Sequence, residues 1–410
     1  MEVVHIICCG IDVHKAILVA CLRRVVDGKV IKETRTFQTH MADLQELLSW
    51  LEAAGCPIVA MESTGVYWKP VYHVLQTKIE VVVGNPREIK QRPGKKTDKT
   101  DAEWISELLA HGLIRPSFIP SPETSALRDL TRTRVSLVQS RSQAKNRVHK
   151  ILEDTNIKLS CVATDIFGVS GRQMLDALVS GQRDAKQLSG LAKGRLREKI
   201  PQLELALTGQ FTEHHAILVK LSLAQIDMLN DQIAEIEAHI ERLAAPLAGQ
   251  LSQIASIPGV SQTAAVAIAA EIGPDMSRFG SDGRLASWAG VCPGNNESAG
   301  KRHSGKTQKG NRWLRSILVQ CAWAGSKTAT FLGQTFHSLQ ARISGKKAAM
   351  AIAHKILVII HHLLTEGTFY DEKRYDRPNP KLEEGRRKRA IRLLEELGYT
   401  VAIQAKTQSC

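Results

Sequence analysis

The chain has 410 residues, of which 43% are hydrophobic and 23% are charged, and these values are ordinary for a globular protein with room for two or three domains. Its 55 Lys and Arg residues outnumber its 41 Asp and Glu residues, and the net charge of +14 predicts a polyanionic partner, above all nucleic acid. The eight cysteines include no C-x-x-C pair, which argues against a zinc site or a disulfide framework and favours a reducing cytosol.

The first 120 residues predict an α/β domain. Three strands are expected within residues 3–38, of which the first, VVHIICCGID, is almost continuously apolar and suits a buried central strand. A helix over 41–54 is followed by a strand (PIVAME), a helix over 63–75, a strand (IEVVVGNP) and a helix opened by DKTDAEWISELLA. The order β-β-β-α-β-α-β-α matches the ribonuclease-H-like (RuvC-like) fold.

Four carboxylates in this domain predict a site for hard divalent cations. Asp12 ends the first strand, Glu62 ends PIVAME, and Asp98 and Asp101 form a D-x-x-D pair on one face of a helix that Thr97 would cap. Buried carboxylates are costly unless they are paired or bind a cation, and such sites commonly act on phosphates. Taken singly, Asp12 could be a turn residue, and the D-x-x-D pair could only favour a helix N-terminus. The pair is flanked by Lys95, Lys96 and Lys99, which suit phosphate contacts.

Residues 121–250 are predicted to form a long helical coiled-coil segment. A helix over 123–153 carries many basic residues, among them Arg128, Arg132, Arg134, Arg141, Lys145, Arg147 and Lys150. Of these, Arg128, Arg132, Arg141 and Lys145 are predicted to contact nucleic acid. A second long helix has apolar residues at heptad spacing from Ile226 to Leu243, so it requires a partner helix. That partner could be the first helix of the same chain or a copy from another subunit. Short helices are expected between residues 160 and 210.

Residues 251–370 predict a mainly α domain that begins with a helix-hairpin-helix. In IPGV, Gly259 would provide the tight turn, and the free amides of the following helix could hold a phosphate, although an ordinary helical turn is the alternative. A Gly-rich basic loop, PGNNESAGKRHSGKTQKGNRWLR, then suits a phosphate backbone. Its predicted nucleic-acid contacts are Lys301, Arg302, Lys306, Lys309 and Arg312.

Ser298 lies in this basic loop and has two possible roles. Its hydroxyl could attack a phosphodiester, but serine is a weak nucleophile until a base or a metal activates it. Alternatively it hydrogen-bonds a phosphate, a role that Ser304 or Thr307 could fill equally well.

The C-terminal part offers weaker signals. The apolar stretch AAMAIAHKILVIIHHLL is interrupted by His354, Lys355, His361 and His362, so we expect a buried or docking helix with surface or satisfied histidines, and no membrane span or metal site. Residues 371–410 form a basic tail whose role the motifs do not define. The N-terminus shows no secretory signal, and we expect a cytoplasmic protein.

Several motifs, in this order, resemble the IS one-ten insertion-sequence transposases, also called bridge recombinases. They are GIDVHK, MESTGVYWKPVYHVL, NPREIKQRPGKKTDKTDA, IPGVSQTAAVAIAAEIG and WAGVCPGNNESAGKRHSGKTQKGNRWLR. The resemblance covers about residues 5–345. It implies a RuvC-like domain over 1–120 with a D-E-D-D metal quartet at Asp12, Glu62, Asp98 and Asp101, and a transposase domain over 251–370 with a nucleophilic serine at Ser298.

The resemblance also implies partners and a cofactor. Members use Mg²⁺ or Mn²⁺, act on double-stranded donor and target DNA, and are guided by a structured bridge RNA. They form homo-oligomers, here expected as dimers that assemble into a tetramer, with composite active sites and, in bacteria, association with the nucleoid. Two other interpretations stay open: a RuvC-like nuclease or junction resolvase with water as the nucleophile, and a non-catalytic nucleic-acid scaffold.

Overall fold

The computed structural model describes residues 3–91, 100–294, 296–298, 301–307, 309–375 and 380–401. Within these residues the chain divides into two compact units, one up to Ile119 and the other from Pro120 onward. The first is a mixed α/β unit and the second is almost entirely helical. The predicted division of the second unit into the segments 121–250, 251–370 and 371–410 stays a prediction.

The first unit contains five strands and four helices within its described residues. In chain order these are β1 Ile7–Val13, β2 Ile17–Val26, β3 Lys29–Gln38, α1 Met41–Ala53, β4 Ile58–Glu62, α2 Trp68–Leu75, β5 Glu80–Gly84, α3 Pro86–Gln91 and α4 Asp101–Ala110. The sheet order is β3-β2-β1-β4-β5, with β1, β2 and β3 antiparallel and with β1, β4 and β5 parallel. This mixed sheet is consistent with the predicted ribonuclease-H-like domain.

The central strand β1 is buried on both faces, as its apolar sequence predicts. Cys9, Ile11 and Val13 pack into a core with α1 and α2, whereas Cys8 packs into a separate core with α4. The neighbouring strand β4 alternates in the same way: Val59 and Met61 join the first core, and Ile58 and Ala60 join the second. Side chains at even positions of both strands therefore face α4.

The second unit contains a further fourteen α-helices and a short β-hairpin in its described part. The helices are α5 Pro122–Asp154, α6 Leu159–Val162, α7 Val169–Val179, α8 Ala185–Ser189, α9 Ile200–Ala206, α10 Glu213–Ala244, α11 Ala248–Ala255, α12 Gln262–Ile272, α13 Asp282–Ala289, α14 Arg312–Gly325, α15 Phe331–Gln340, α16 Gly345–Glu366, α17 Glu372–Tyr375 and α18 Pro380–Glu396. The hairpin consists of β6 Asn296–Ser298 and β7 Lys301–Ser304, and 3₁₀ helices lie at Gly194–Lys199, Ala245–Leu247 and Met276–Phe279.

The long helices α5 and α10 pack against each other within one chain, which answers the question that the heptad pattern left open. Arg134 forms an ion pair with Glu237, and Arg141 Nη1 donates to Asn230 Oδ1 at 2.9 Å. The short helices between them close one end of the pair, where they share a buried apolar core with both long helices. Whether the pair continues as a regular coiled coil stays a prediction.

Helix α16 is the central helix of the C-terminal body. It is long and apolar enough to cross a membrane by length and composition, but half of its most apolar window is buried inside the protein. It packs against α11, α13, α14 and α15. The expectation of a buried helix is therefore confirmed, and its apolar sequence is explained by the contacts that it makes inside the protein.

Residues just after position 370 are docked on the body. The backbone N–H of Tyr370 donates to Ser256 Oγ at 3.0 Å, and its hydroxyl donates to Glu372 Oε2 at 2.9 Å. Glu372 also accepts from the backbone N–H of Phe331, and Tyr370 stacks on Tyr375. The segment predicted as a basic tail therefore begins with specific contacts, and the basic helix α18 follows them.

Candidate active site

Three of the four predicted carboxylates come together at one edge of the sheet in the first unit. Asp12 and Glu62 lie near the carboxyl ends of the parallel strands β1 and β4, and the register that pairs Ile11 with Met61 brings them to the same level. Both occupy even positions, so they face α4. Asp101 is the first residue of α4 and therefore lies at the same edge.

The electrostatics of Glu62 show how closely these groups interact. Burial raises the pKa of the Glu62 carboxyl above its usual range, and the negative charges of Asp12 and Asp101 raise the pKa further. Lys90, whose Nζ lies 3.9 Å from Glu62 Oε2, and the hydroxyl of Thr64 at 3.2 Å both act in the opposite direction. A bound cation would offset the repulsion among these three carboxylates, because a nearby positive charge favours their charged form.

Two residues beside the quartet were not predicted from the sequence. His14 Nε2 lies 3.1 Å from Asp12 Oδ2, and Lys90 reaches Glu62. His14 follows Asp12 by two residues in GIDVHK, and this short spacing could have predicted their contact. Lys90 lies on α3, which the sequence had not separated from the surrounding loop.

Gly10 decides how closely α4 approaches the sheet. A Cβ atom at this position would lie 2.3 Å from both Ala102 O and Ser106 N, which are backbone atoms of α4. Only a glycine accommodates this approach. Because α4 rests directly on β1, its first residue, Asp101, reaches the edge that Asp12 occupies.

The start of α4 corrects one detail of the sequence prediction. The helix begins at Asp101, and its N-cap is Thr100, whose hydroxyl accepts from the backbone N–H of Glu103 at 3.3 Å. The expected cap, Thr97, and the fourth acid, Asp98, lie outside the described residues, as do Lys95 and Lys96. Their assignment to the site stays a prediction.

The donor set suits Mg²⁺ by its chemistry. Mg²⁺ takes oxygen ligands and commonly binds through one or two carboxylates while it keeps several waters, so a site of this kind does not require three close side chains. Among the described residues, no group of three or more His, Cys, Asp or Glu side chains is arranged closely enough to hold an ion by itself. Asp12 and Glu62, whose side chains are 22% and 11% exposed, are the residues that would offer oxygens to it.

Ser298 lies at the end of β6 in the second unit. It pairs with Lys301 across the hairpin, and Asn296 pairs with Ser304 at the opposite end. The backbone therefore places Ser298 at the tip of the hairpin and Ser304 at its base. Cys292, the nearest thiol in sequence, has a pKa raised by burial and by Asp282, so it is a poor nucleophile at neutral pH.

The base of this hairpin is tightly built. The Gly294 N–H donates to Lys306 O at 3.1 Å, and a Cβ on Gly294 would lie 2.3 Å from that oxygen. A Cβ on Gly310 would lie 2.3 Å from the Gly290 nitrogen. These two glycines thus permit close backbone contacts where the hairpin joins the helices.

Two of the basic residues predicted to contact nucleic acid hold α5 against α12. Arg128 donates to Ala270 O and Glu271 O at 3.1 and 2.6 Å. Arg132 makes two hydrogen bonds to the Glu271 carboxylate at 2.7 and 2.8 Å. Their guanidinium groups have protein acceptors in this structure, and their contacts with nucleic acid stay a prediction.

The other predicted contacts fall into three groups. Arg141 and Lys145 lie on α5, where Lys145 Nζ lies 4.8 Å from the centroid of the Phe167 ring. Gly259 provides the predicted tight turn, with φ +89°, but its Cα faces α14, since a Cβ would lie 2.4 Å from Gly325 N. The phosphate contact at Gly259 stays a prediction. The remaining residues belong to the hairpin segment: Lys301, Arg302, Lys306, Lys309 and Arg312.

Comparison with known proteins assigns the chain to a family. A family model for the DEDD domain of IS110 transposases, described as "Transposase", matches residues 9–157. A second, described as "Transposase IS116/IS110/IS902 family", matches residues 251–337. The chain belongs to the IS110 family of transposases. One IS110 match contains the carboxylate edge and the other contains the serine hairpin.

Three proteins of Sinorhizobium fredii (strain NBRC 101917 / NGR234) are similar to this IS110-family chain. "Putative transposase y4qE" is 27% identical over 248 residues, which are 60% of this chain and 52% of the relative. "Putative transposase y4rJ" is 26% identical over 339 residues, covering 76% of this chain and 78% of the relative. "Putative transposase y4pF/y4sB" is 24% identical over 337 residues, covering 80% and 77%. The match therefore spans about half of the first relative and about three quarters of the other two.

Proposed function

We propose that this IS110-family protein is a DNA transposase that cuts and rejoins donor and target strands through a phosphoserine intermediate. The observation that carries the proposal is the convergence of Asp12, Glu62 and Asp101 at one edge of a ribonuclease-H-like sheet. Such an edge suits phosphodiester chemistry, because it presents several oxygen ligands where parallel strands end. The family assignment supports DNA as the substrate.

In the proposed reaction the Ser298 hydroxyl oxygen forms a bond to the scissile phosphorus. One bridging P–O bond breaks, the departing strand retains that oxygen as a hydroxyl, and the serine proton passes to a neighbouring base or to solvent. The hydroxyl of a second strand then attacks the phosphoserine and releases Ser298. One phosphate ester bond replaces another in each step, so rejoining requires no ATP.

The carboxylate edge has a supporting task in this proposal. Asp12, Glu62, Asp98 and Asp101 would hold Mg²⁺ or Mn²⁺, and the metal when bound stabilises negative charge on the phosphate and on the leaving oxygen. Lys306, Lys309 and Arg312 carry positive charge beside the hairpin, which favours the approach of a phosphate backbone. The carboxylates do not need to activate a water if Ser298 is the nucleophile.

We further propose that a structured guide RNA selects the DNA by base pairing, and that subunits assemble into dimers and tetramers. The resemblance of the motifs supports both. In such systems the protein reads backbone shape, while pairing with the RNA reads sequence. An excess of basic side chains suits this division.

A covalent-trapping experiment tests the chemistry. Purified protein is incubated with donor DNA, guide RNA and Mg²⁺, denatured, and analysed for a protein–DNA adduct whose attachment site is mapped by mass spectrometry. We expect the adduct at Ser298, its loss in Ser298→Ala, and its retention in Ser304→Ala, a matched control in the same hairpin.

The other outcomes identify the competing functions. DNA cleavage that persists in Ser298→Ala without any adduct would indicate a metal-dependent nuclease with water as the nucleophile. An adduct at another serine would contradict the site assignment. Binding without Mg²⁺-dependent cleavage by the unmodified protein, and equal binding by Asp12→Asn, would indicate a scaffold.

A further inference from the structure

A buried carboxylate in the second unit connects three separate segments of the chain. Glu271 lies on α12 and is only 1% exposed, so its charge requires strong partners. Arg132 of α5 donates from Nε and Nη2 to its two oxygens in a paired arrangement. Asn311 donates from Nδ2 to Glu271 Oε2 at 2.5 Å. A residue between Gly310 and α14 thus completes the coordination of a carboxylate fixed by α5 and α12.

Asn311, the last residue of the segment that carries the hairpin, also caps a helix. Its Oδ1 accepts from the backbone N–H groups of Trp313 and Leu314 at 3.0 and 3.2 Å, so it is the N-cap of α14. Its own backbone N–H donates to Trp288 O at 3.4 Å. The amide of this one side chain therefore uses its oxygen to start α14 and its nitrogen to contact Glu271.

Two close backbone contacts lie between the hairpin and Asn311. Gly310 packs directly on the Gly290 backbone, and Gly294 on the other arm packs on Lys306 O. These contacts join the described residues at the base of the hairpin to the segment that Asn311 ends. We therefore expect a displacement of Asn311 to shift the base of the hairpin, and Ser298 with it.

Arg128 holds the backbone of the same C-terminal end of α12 that carries Glu271. Arg128 donates to the carbonyls of Ala270 and Glu271, which are among the last of that helix. Arg128 and Arg132 together join α5 to the end of α12, so the Glu271 carboxylate is fixed before Asn311 contacts it. In the contact between Glu271 and Asn311, α5 and α12 therefore fix the Glu271 side, and the hairpin segment is positioned by it.

We propose that Glu271 is a positioning residue that holds the hairpin, through Asn311, where Ser298 can reach the scissile phosphate. The proposal rests on the proposed function of Ser298 and adds to it the group that sets its position. Misplacement of a reacting group by about 1 Å can lower a rate about 100-fold. A network that anchors the base of a two-stranded hairpin controls a displacement of that size.

An exchange of hydrogen-bond polarity tests the proposal. Asn311→Asp keeps an oxygen that can cap α14, since Asp and Asn are equally good N-caps, but it places a carboxylate opposite Glu271. The double variant Glu271→Gln with Asn311→Asp restores a matched pair, because the amide introduced on α12 can donate to the carboxylate introduced at the N-cap of α14. Glu237→Gln is the control, since it removes an ion pair of α5 with α10 that does not involve the hairpin.

Two readouts are measured in the full chain, well below the lowest unfolding temperature of the set. The first is amide hydrogen exchange of residues 288–315 without DNA, and the second is the rate of Ser298 adduct formation at saturating DNA. We expect Asn311→Asp to exchange faster in this segment alone and to form the adduct about 10- to 100-fold more slowly. The double variant should recover both, and Glu237→Gln should change neither.

The outcomes separate this proposal from the function on which it rests. Unchanged exchange in Asn311→Asp would overturn the anchoring, and faster exchange with an unchanged adduct rate would overturn the positioning. If the single and the double variant exchange equally fast and form the adduct equally slowly, the matching of donor and acceptor between residues 271 and 311 would not be what holds the hairpin. If Asn311→Asp does not fold, Arg132→Lys, which keeps the charge but loses the paired geometry, should show the same local effects more weakly. An unmodified protein without a Ser298 adduct would instead contradict the proposed function, while exchange would still report the anchor.

Discussion

Glu62 is the side chain at which the competing demands of stability and function are clearest. It is mostly buried, and the charges of Asp12 and Asp101 act on it in addition to burial. Lys90 and Thr64 offset only part of this cost, since the pKa of the carboxyl stays above its usual range. An isolated fold would be more stable without this charge, and the proposed metal site at this edge would account for its presence.

Glu62→Gln should therefore raise the thermal stability of the metal-free protein at neutral pH. A carboxyl whose pKa is raised in the folded state contributes fully below its ordinary pKa and loses that contribution as the pH rises through the raised value. Gln stays neutral throughout, so its advantage should appear above that pH and shrink as the pH falls toward the ordinary Glu pKa. Each kcal/mol gained corresponds to about 4–8 °C in a domain of 60–100 residues and less in a larger one.

Thermal unfolding at several pH values without divalent metal measures this effect, and Glu46→Gln on the exposed face of α1 is the control. The same Glu62→Gln protein should lose Mg²⁺-dependent strand cleavage. A variant less stable than the unmodified protein at neutral pH would mean that the contact with Lys90 outweighs burial and repulsion.

At the scale of elements, the packing of α4 on β1 brings together residues that are 89 positions apart in the chain. Asp12 lies near the end of a central strand, and Asp101 begins a helix that lies across the same strand at Gly10. The absence of a side chain at one position of β1 thus sets the distance between two carboxylates. The strand run predicts Asp12, but it does not reveal why the residue two positions before it is glycine.

Gly10→Ala should separate α4 from the sheet. The added methyl group would meet two backbone atoms of α4 at 2.3 Å, and overpacking of this kind typically costs about 1–3 kcal/mol. We expect a lower unfolding temperature together with weaker Mg²⁺-dependent cleavage, because Asp101 moves with the helix. Gly249→Ala on α11, where a Cβ meets nothing within 4 Å, is the matched control and should not destabilise the protein. An unchanged cleavage rate in a destabilised Gly10→Ala protein would contradict the link to Asp101.

The sequence predicted the elements better than their ends or their partners. Apolar runs or an alternation of polar and apolar residues identified the five strands, and apolar residues at helical spacing identified the two long helices, because the side-chain period differs between strands and helices. The start of α4 was expected too early, since Asp98 suggested a helix. The actual cap follows from T-D-A-E, in which Thr100 precedes Glu103 by the spacing of a capping box, a pattern that Thr97 lacks.

Contacts between distant segments were beyond the reach of sequence patterns. Arg132 and Glu271 are 139 residues apart, and a basic helix gives no sign of which arginines face a buried acid. The heptad seam of α10 likewise indicates that a partner helix exists without identifying it. The candidate carboxylates were predictable because their type and strand-end placement are local properties.

At the scale of the whole molecule, the charge is divided unevenly between the two units. Residues 1–119 contain 15 Lys and Arg and 14 Asp and Glu, whereas the remaining residues contain 40 and 27. Almost all of the net charge of +14 therefore belongs to the second unit. Long-range attraction for a polyanion is a property of that unit, whatever chemistry the first unit performs.

Nucleic-acid binding should accordingly depend on salt through side chains of the second unit. Each phosphate contact that a lysine makes contributes about one unit to the slope of log K against log salt concentration. We expect Lys309→Gln beside the hairpin to reduce this slope by about one, and Lys78→Gln, an exposed lysine of the first unit, to leave it unchanged. Binding titrations of the full chain at several salt concentrations give both slopes. Equal slopes for all three proteins would contradict a phosphate contact at Lys309.

The uneven charge has a consequence for how the carboxylate edge reaches DNA. A nearly neutral unit that presents three acidic groups has no long-range attraction for a phosphate backbone, and its own carboxylates oppose the approach. The covalent link at residues 119 and 120 replaces that missing attraction with proximity. Once the basic unit is bound, the first unit with its carboxylate edge is present at an effective concentration that tethering commonly brings to the millimolar range. The carboxylate edge then meets the phosphate without diffusing to it from solution. We therefore expect this edge to act only on DNA that the second unit has already bound.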